Sequence, residues 1–305
     1  MSHSPKPPRR RLDGVLLLDK PAGMTSNAAL QKAKWLLAAA KAGHTGTLDP
    51  MASGLLPLCF GEATKFAGEL LHADKGYSAA VRLGVRTETA DAEGAVLETR
   101  PVAVTREQLD AVLARFRGKI SQLPPMHSAL KHEGRPLYEY ARKGVEIARA
   151  PREVEIFSLN LREYGGDRFS FDVECSKGTY VRTLAQDIGE ALGCGGHLIA
   201  LRRFRIGNLR LEDAVTLEAL EGLPPASRAA LLQPADALLA DLPRLELDEA
   251  MALRFSHGQA VRTRERSSAE RWRVYAADGR FLGLGRFGPD ERIAPARLVA
   301  TAIEK

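Results

Sequence analysis

The sequence has 305 residues, 45% of them apolar and 27% charged, and 44 Lys and Arg against 38 Asp and Glu give a formal net charge of +6. This is enough apolar material for one large domain and a small one; it excludes a collagen-like or wholly disordered chain, and the basic excess suits a polyanionic partner without requiring one. Cys59, Cys175 and Cys194 are widely spaced with no CxxC, and no run approaches the eighteen or so apolar residues of a membrane span, which excludes a disulfide scaffold, a cysteine zinc site and a membrane helix and points to the cytoplasm.

Residues 1 to 12 form a basic, polar arm with Arg9, Arg10 and Arg11 in a row. It lacks the apolar segment of a secretory signal, and it reads as a solvated tail or as an arm that touches nucleic acid. Gly14-Val15-Leu16-Leu17-Leu18-Asp19-Lys20-Pro21 then predicts a short buried strand ending in a charged turn. Past Gly23-Met24-Thr25-Ser26-Asn27, Ser26 is the expected cap of a helix running to about Lys41.

That helix delivers the chain into Gly43-His44-Thr45-Gly46-Thr47-Leu48-Asp49-Pro50, a run too polar and glycine-rich for core. Glycines allow close backbone approach to another molecule, and Pro50 biases Asp49 away from the helical region, so a carboxylate is presented from an irregular loop. In an arbitrary sequence an Asp-Pro pair is a turn former or a helix cap. His44, taken alone, reads equally as a structural histidine in a tight loop.

Gly61-Glu62-Ala63-Thr64-Lys65 opens a short helix to about Leu71, and Lys75 to Gly84 reads as a strand in which Tyr77 would by default be a half-buried aromatic. Thr87 to Gly94 is an acidic hairpin turn whose spacing does not complete a calcium loop. Thr105-Arg106-Glu107-Gln108 is a capping box for a helix ending at Gly118. Residues 123 to 142 place two prolines ahead of basic residues interleaved with tyrosines, the composition of a flap over nucleic acid or of a plain surface loop and helix.

Strands follow at about 152 to 164 and 168 to 175, joined by a turn at Gly165-Gly166-Asp167. Ser176-Lys177-Gly178-Thr179-Tyr180-Val181-Arg182-Thr183-Leu184 enters a helix ending near Gly193, where Arg182 would pass for a surface residue of the first turn. His197 to Gly207 carries Leu201-Arg202-Arg203. A polar connection around residues 223 to 244 leads to short strand signals, with a turn at Asp278-Gly279. Gly283 to Gly288 spells GxGxxG, but a proline and acidic residues follow in place of a helix, which argues against a dinucleotide site. Mixed strand order without repeating strand-helix units indicates an α+β fold with a largely antiparallel sheet.

These runs resemble the TruB-type tRNA pseudouridine synthases. The loop at 43–57 matches that family's catalytic loop without a gap, and Asp19-Lys20-Pro21, Gly23 to Asn27, Lys75-Gly76-Tyr77, Ser176 to Leu184 and His197 to Gly207 match further motifs in the same order. The likeness covers roughly residues 13 to 210, and the C-terminal part more weakly. It implies a mixed, largely antiparallel central sheet flanked by helices in a catalytic domain at 13–240, a thumb-like insertion at about 123–151, and a small β-rich, PUA-like RNA-binding domain at 245–305. It also implies Asp49 as the catalytic residue, Arg182 paired with it, His44 filling the space left by a flipped base, and Tyr77, Tyr180 and Leu201 gripping that base, with Tyr77 assisting proton removal from C5. The implied partner is the tRNA T stem-loop, with its uridine at tRNA position 55 as substrate, and no membrane or obligate protein partner. The family usually carries Tyr where this chain has His127.

Converting uridine to pseudouridine breaks a C1′–N1 bond and rejoins the same ring through carbon, without net redox change, so it calls for a nucleophile and no cofactor. An ordinary aspartate has a pKa of about 3.9, so Asp49 is expected to be ionised at neutral pH, with Arg182 favouring the charge further. Two other readings remain: a noncatalytic RNA-binding or tRNA-folding module that keeps the pocket, and an aspartate-dependent nucleoside hydrolase, for which no second carboxylate stands out near the motifs.

Overall fold

In the computed structural model, which describes residues 9–263, 269–288 and 290–300, the apolar run after the arm becomes β1 (Gly14–Lys20), buried along nearly its whole length. The chain continues through α1 (Ser26–Leu36), β2 (Ala42–His44), β3 (Ser53–Phe60), β4 (Lys75–Leu83), the hairpin β5 (Val85–Thr87) and β6 (Val96–Thr99), α2 (Arg106–Arg115) and β7 (Gly118–Gln122). An insertion holds β8 (Lys131–His132), β9 (Arg135–Pro136) and α3 (Leu137–Ala141) before β10 (Arg152–Gly165), β11 (Arg168–Cys175), α4 (Val181–Ala191) and β12 (Gly196–Ile206). The remainder is β13 (Leu209–Arg210), β14 (Val215–Thr216), α5 (Leu217–Gly222), β15 (Arg244–Leu247), α6 (Glu249–Ser256), β16 (Val261–Arg262), β17 (Arg271–Ala276), β18 (Phe281–Phe287) and β19 (Arg292–Leu298).

The large sheet runs β14-β1-β3-β12-β4-β11-β10-β7, with β2 beside β3 and β13 beside β12. It is parallel at β1/β14 and β3/β12 and antiparallel at its other pairs, the mixed, largely antiparallel sheet expected. One apolar cluster joins it to the inner faces of the helices, through Leu30 and Leu36 of α1, Leu109 and Leu113 of α2, and Leu184 and Ile188 of α4. A covered sheet of this kind explains why β1 and β3 are apolar at consecutive positions and not at alternate ones. The capping box at Thr105 and Gln108 forms as expected.

Two helix boundaries differ from expectation. Thr25, not Ser26, caps α1, its hydroxyl accepting from the Ala28 amide, because Ser26 is buried and occupied elsewhere. The helix stops at Leu36 rather than about Lys41: Ala38 takes a left-handed φ of 50°, the Arg10 amide donates to its carbonyl at 2.6 Å, and residues 42–44 pair with β3. The arm is therefore tied down at Arg10; residues 1–8 lie outside the described part. The single helix expected at 61–71 is two 3₁₀ turns, Gly61–Phe66 and Glu69–His72.

β15-β17-β18-β19-β16 form the small C-terminal sheet. The Asp278-Gly279 turn joins β17 to β18, and the GxGxxG run starts within β18, away from any helix N-terminus. This sheet meets the 3₁₀ turns that follow β3 through Phe66 and Phe281, whose ring centroids are 5.5 Å apart, and an ion pair of Arg271 with Glu69 at 2.7 Å. Among the described residues no helix is long and apolar enough to cross a membrane.

Candidate active site

The loop between β2 and β3 holds Asp49 by clamping the backbone on either side of it. The Ser26 hydroxyl, at the start of α1, donates to the Leu48 carbonyl at 2.9 Å and accepts from the Leu48 amide at 2.8 Å. Beyond Asp49, the Pro50 carbonyl accepts from the Gly23 amide at 2.8 Å and faces the buried Lys20 ammonium at 3.5 Å. Lys20 also donates to the carbonyls of Pro21 and Met24, at 2.8 and 2.6 Å. Burial pushes the Lys20 pKa down to about 8 against the pull of the Asp49 charge.

α4 brings Arg182 to the carboxylate. Its side chain is 5% exposed, and every nitrogen of the guanidinium has a partner: Nε meets Asp49 Oδ2 at 2.9 Å, Nη1 donates to the Thr89 carbonyl at 3.0 Å and meets Asp91 Oδ2 at 3.4 Å, and Nη2 donates to the His127 carbonyl at 2.7 Å. Four of the five N–H directions of arginine's planar fork are used, and it cannot turn without losing contacts. Asp49 keeps 39% of its side-chain surface open, whereas Asp91 keeps 4%.

Asp49, His44, Tyr77, Tyr180, Arg182 and Leu201 all line one cavity of about 660 Å³. Tyr77 and Leu201 come from the adjacent strands β4 and β12, where Leu201 pairs with Ala79 and Arg203 with Tyr77. Arg203, 1% exposed, also lines this cavity, and its Nε donates to the Leu55 carbonyl at 2.8 Å, which ties its side chain to β3. A second cavity of about 570 Å³ shares Asp49, His44 and Arg182 and is otherwise rimmed by polar and thumb residues, including Asn27, Lys131, Tyr138 and Arg142. Both hollows carry cationic side chains, Lys75, Arg152 and Arg203 in the first and Lys131 and Arg142 in the second, and the Asp49 carboxylate and Arg182 border both. Among the described residues, no three His, Cys, Asp or Glu side chains are grouped to hold a metal.

A family model described as the TruB family pseudouridylate synthase N-terminal domain matches residues 34–181, and two TruB C-terminal models match 182–240 and 243–299. The tRNA pseudouridine synthase B of Chromobacterium violaceum is 56% identical over 298 residues, 97% of each chain. The chain belongs to the TruB family of pseudouridylate synthases. The protein of the same name from an Azoarcus species is 59% identical over 296 residues, 97% of this chain and 98% of that one. Among solved structures, a chain of a Cbf5-Nop10-Gar1 complex superposes with a TM-score of 0.69 at 28% identity, covering 90% of this chain and 78% of that one. An archaeal box H/ACA Nop10-Cbf5 complex contains the same fold, with a TM-score of 0.72 at 24% identity over 94% of this chain and 86% of that one. As a TruB-family synthase, the protein is an isomerase acting on uridine in RNA.

Within this TruB-family site, one electrostatic expectation is qualified. Burial raises the Asp49 pKa above the ordinary aspartate value; Arg182 opposes this and Asp91 reinforces it. Arg182 therefore favours the charge, as expected, and does so against a desolvation that lifts Asp49 above the ordinary aspartate value. Burial lowers the His44 pKa, Arg203 adding to the effect, so the neutral imidazole is favoured. Burial likewise raises that of Tyr77.

Asp91 was missed. Its signal is weak: it is one acid among several in a turn, and what draws it inward is the bridge between this turn and Leu198 of β12, which local sequence does not show. The departure at His127 proves separate from the arginine contact, because Arg182 takes that residue's carbonyl while its imidazole lies 4.0 Å from Glu88.

Proposed function

We propose that the chain isomerises the T-loop uridine of tRNA to pseudouridine in the cytoplasm, with Asp49 as the nucleophile acting on a nucleotide flipped out of its stack. The observation that carries this reading is an aspartate backed by a buried arginine at the edge of a cavity whose walls include Tyr77, Tyr180 and Leu201. Flipping costs on the order of a few kcal/mol, which stacking and burial of the base in such a pocket offset. His44, bordering both hollows, fills the space the base leaves. Arg182 orients the carboxylate and keeps it charged, and the raised basicity that burial gives Asp49 strengthens it as a nucleophile. Tyr77, Tyr180 and Leu201 grip the base, and Tyr77 assists removal of the C5 proton. The basic thumb and the PUA-like C-terminal sheet supply the remaining RNA contacts, and neither a cofactor nor an obligate protein partner enters the reaction.

A hydrolase would need a second carboxylate free to activate water. Asp91 is near, but it is buried against Arg182 and has no room for that role. The test is nucleoside analysis of an unmodified tRNA transcript incubated with the protein. Wild type is expected to yield pseudouridine and Asp49→Asn none, with RNA binding largely kept. Free uracil would point to the hydrolase, and equal binding without product from either protein to a noncatalytic module.

A further inference from the structure

As the N-cap residue of α4, Tyr180 makes no side-chain capping bond; its carbonyl accepts from the Leu184 amide of its own helix at 3.0 Å, and one buried side chain from outside the helix, Gln122, holds both its N–H and its carbonyl. The Gln122 amide nitrogen donates to the Tyr180 carbonyl at 3.3 Å, and its amide oxygen accepts from the Tyr180 N–H at 3.1 Å. Arg152 fixes the ring: its guanidinium carbon lies 4.7 Å from the ring centroid, and one nitrogen donates to the Gly178 carbonyl. Gly178 has a φ of +83°, the left-handed backbone that favours glycine, and this turn presents its carbonyl to the guanidinium. Among the described residues no carboxylate pairs with Arg152; its side chain lines the cavity beside Tyr180 and contacts the ring and the Gly178 carbonyl.

Gln122 and Arg152 are direct partners in the ladder between β7 and β10, the last residue of one strand and the first of the next. The whole thumb insertion is spliced between them. We propose that this ladder pair is a positioning device for Tyr180, through which the base of the thumb sets the ring that meets the target base. The inference rests on the reading of Tyr180 as a base-contacting residue. Preset rings spare the substrate the cost of ordering them, so loosening Tyr180 should slow the step that needs the base in register while leaving RNA affinity, spread over many phosphate contacts, nearly untouched.

The test measures single-turnover pseudouridine formation at saturating tRNA, RNA Kd across salt, and thermal midpoint for Arg152→Met, Arg152→Lys, Tyr180→Leu and the Arg152→Met/Tyr180→Leu double variant. Arg152→Met is expected to slow turnover about tenfold, with Kd and midpoint close to wild type. Arg152→Lys, which keeps a cation over the ring, should recover most of the rate, and Arg152→Met should cost nothing further once Tyr180 is leucine. The proposal is overturned if Arg152→Met is as fast as wild type, or if it slows the Tyr180→Leu protein by the same factor and lowers the salt slope by about one, the mark of a direct phosphate contact. A Tyr180→Leu protein as fast as wild type would instead overturn the reading of Tyr180 on which the inference stands.

Discussion

Replacing Arg182 with methionine isolates the electrostatics of the site. Methionine fills much of the same volume but strands the Asp91 carboxylate, 4% exposed, without its cation, and leaves the Thr89 and His127 carbonyls without their donor. Removing one partner of a buried ion pair costs roughly 3–5 kcal/mol. Thr89 and His127 line the second cavity, where water can reach their carbonyls, so they add little. At roughly 2–4 °C per kcal/mol for a chain of this size class, the thermal midpoint should fall by about 10 °C. Adding Asp91→Asn removes the stranded charge and should restore at least half of that loss without restoring pseudouridine formation, because Asp49 still lacks its partner. Catalysis carries its own signature: with Arg182 gone, burial and the Asp91 charge both push the Asp49 pKa up unopposed by the guanidinium. Residual single-turnover activity of Arg182→Met should therefore climb with pH over a range where wild type is flatter. Two results would refute this reasoning: an Arg182→Met protein within about 0.5 kcal/mol of wild-type stability, or a double variant no more stable than the single one.

How legible the site was depended on whether a residue's role is local or arises from distant parts of the chain. The irregular backbone of the Asp49 loop could be read directly, because Gly46 and Pro50 impose local geometry that the sequence displays, whereas the parts given to Asp49, Tyr180 and Arg182 came from the likeness to the TruB family. The strand pair β10/β11 and the capping box at Thr105 were visible for the same reason. Asp91 was not, since its importance comes from meeting an arginine on α4, 91 positions later. Ser26 looked like a helix cap because serine caps helices often; the structure gives that task to Thr25 and turns Ser26 to both peptide groups of Leu48. The overlong α1 and the split helix after Gly61 show tertiary pairing overriding propensity: alanine-rich residues 37–41 favour helix, but the pairing of 42–44 with β3 pulls the chain away. Arg182, which composition alone would leave on the surface, is the clearest case of a charge whose burial only its partners explain.

Gly54 should tolerate no side chain: its φ of +101° and the closeness of the Arg203 backbone, with a Cβ only 2.7 Å from the Arg203 nitrogen, predict a loss of roughly 2–5 kcal/mol for Gly54→Ala. Thermal unfolding checks this, and a wild-type midpoint would show that the β3/β12 crossing is looser than described. Asp49→Asn should separate function from stability. Its folded-state pKa is raised, so the ionised carboxylate opposes folding: this penalty is absent below the ordinary aspartate range and grows as pH rises through the folded-state pKa. Asparagine does not titrate, and Arg182 keeps Asp91, Thr89 and His127 as partners. At neutral pH the Asp49→Asn protein should therefore melt no lower than wild type, with the difference shrinking as both are taken toward pH 4. A variant that melts clearly lower than wild type at pH 7 and converges with it in acid would reverse the sign, meaning that Arg182 outweighs burial and that the carboxylate stabilises the fold it serves.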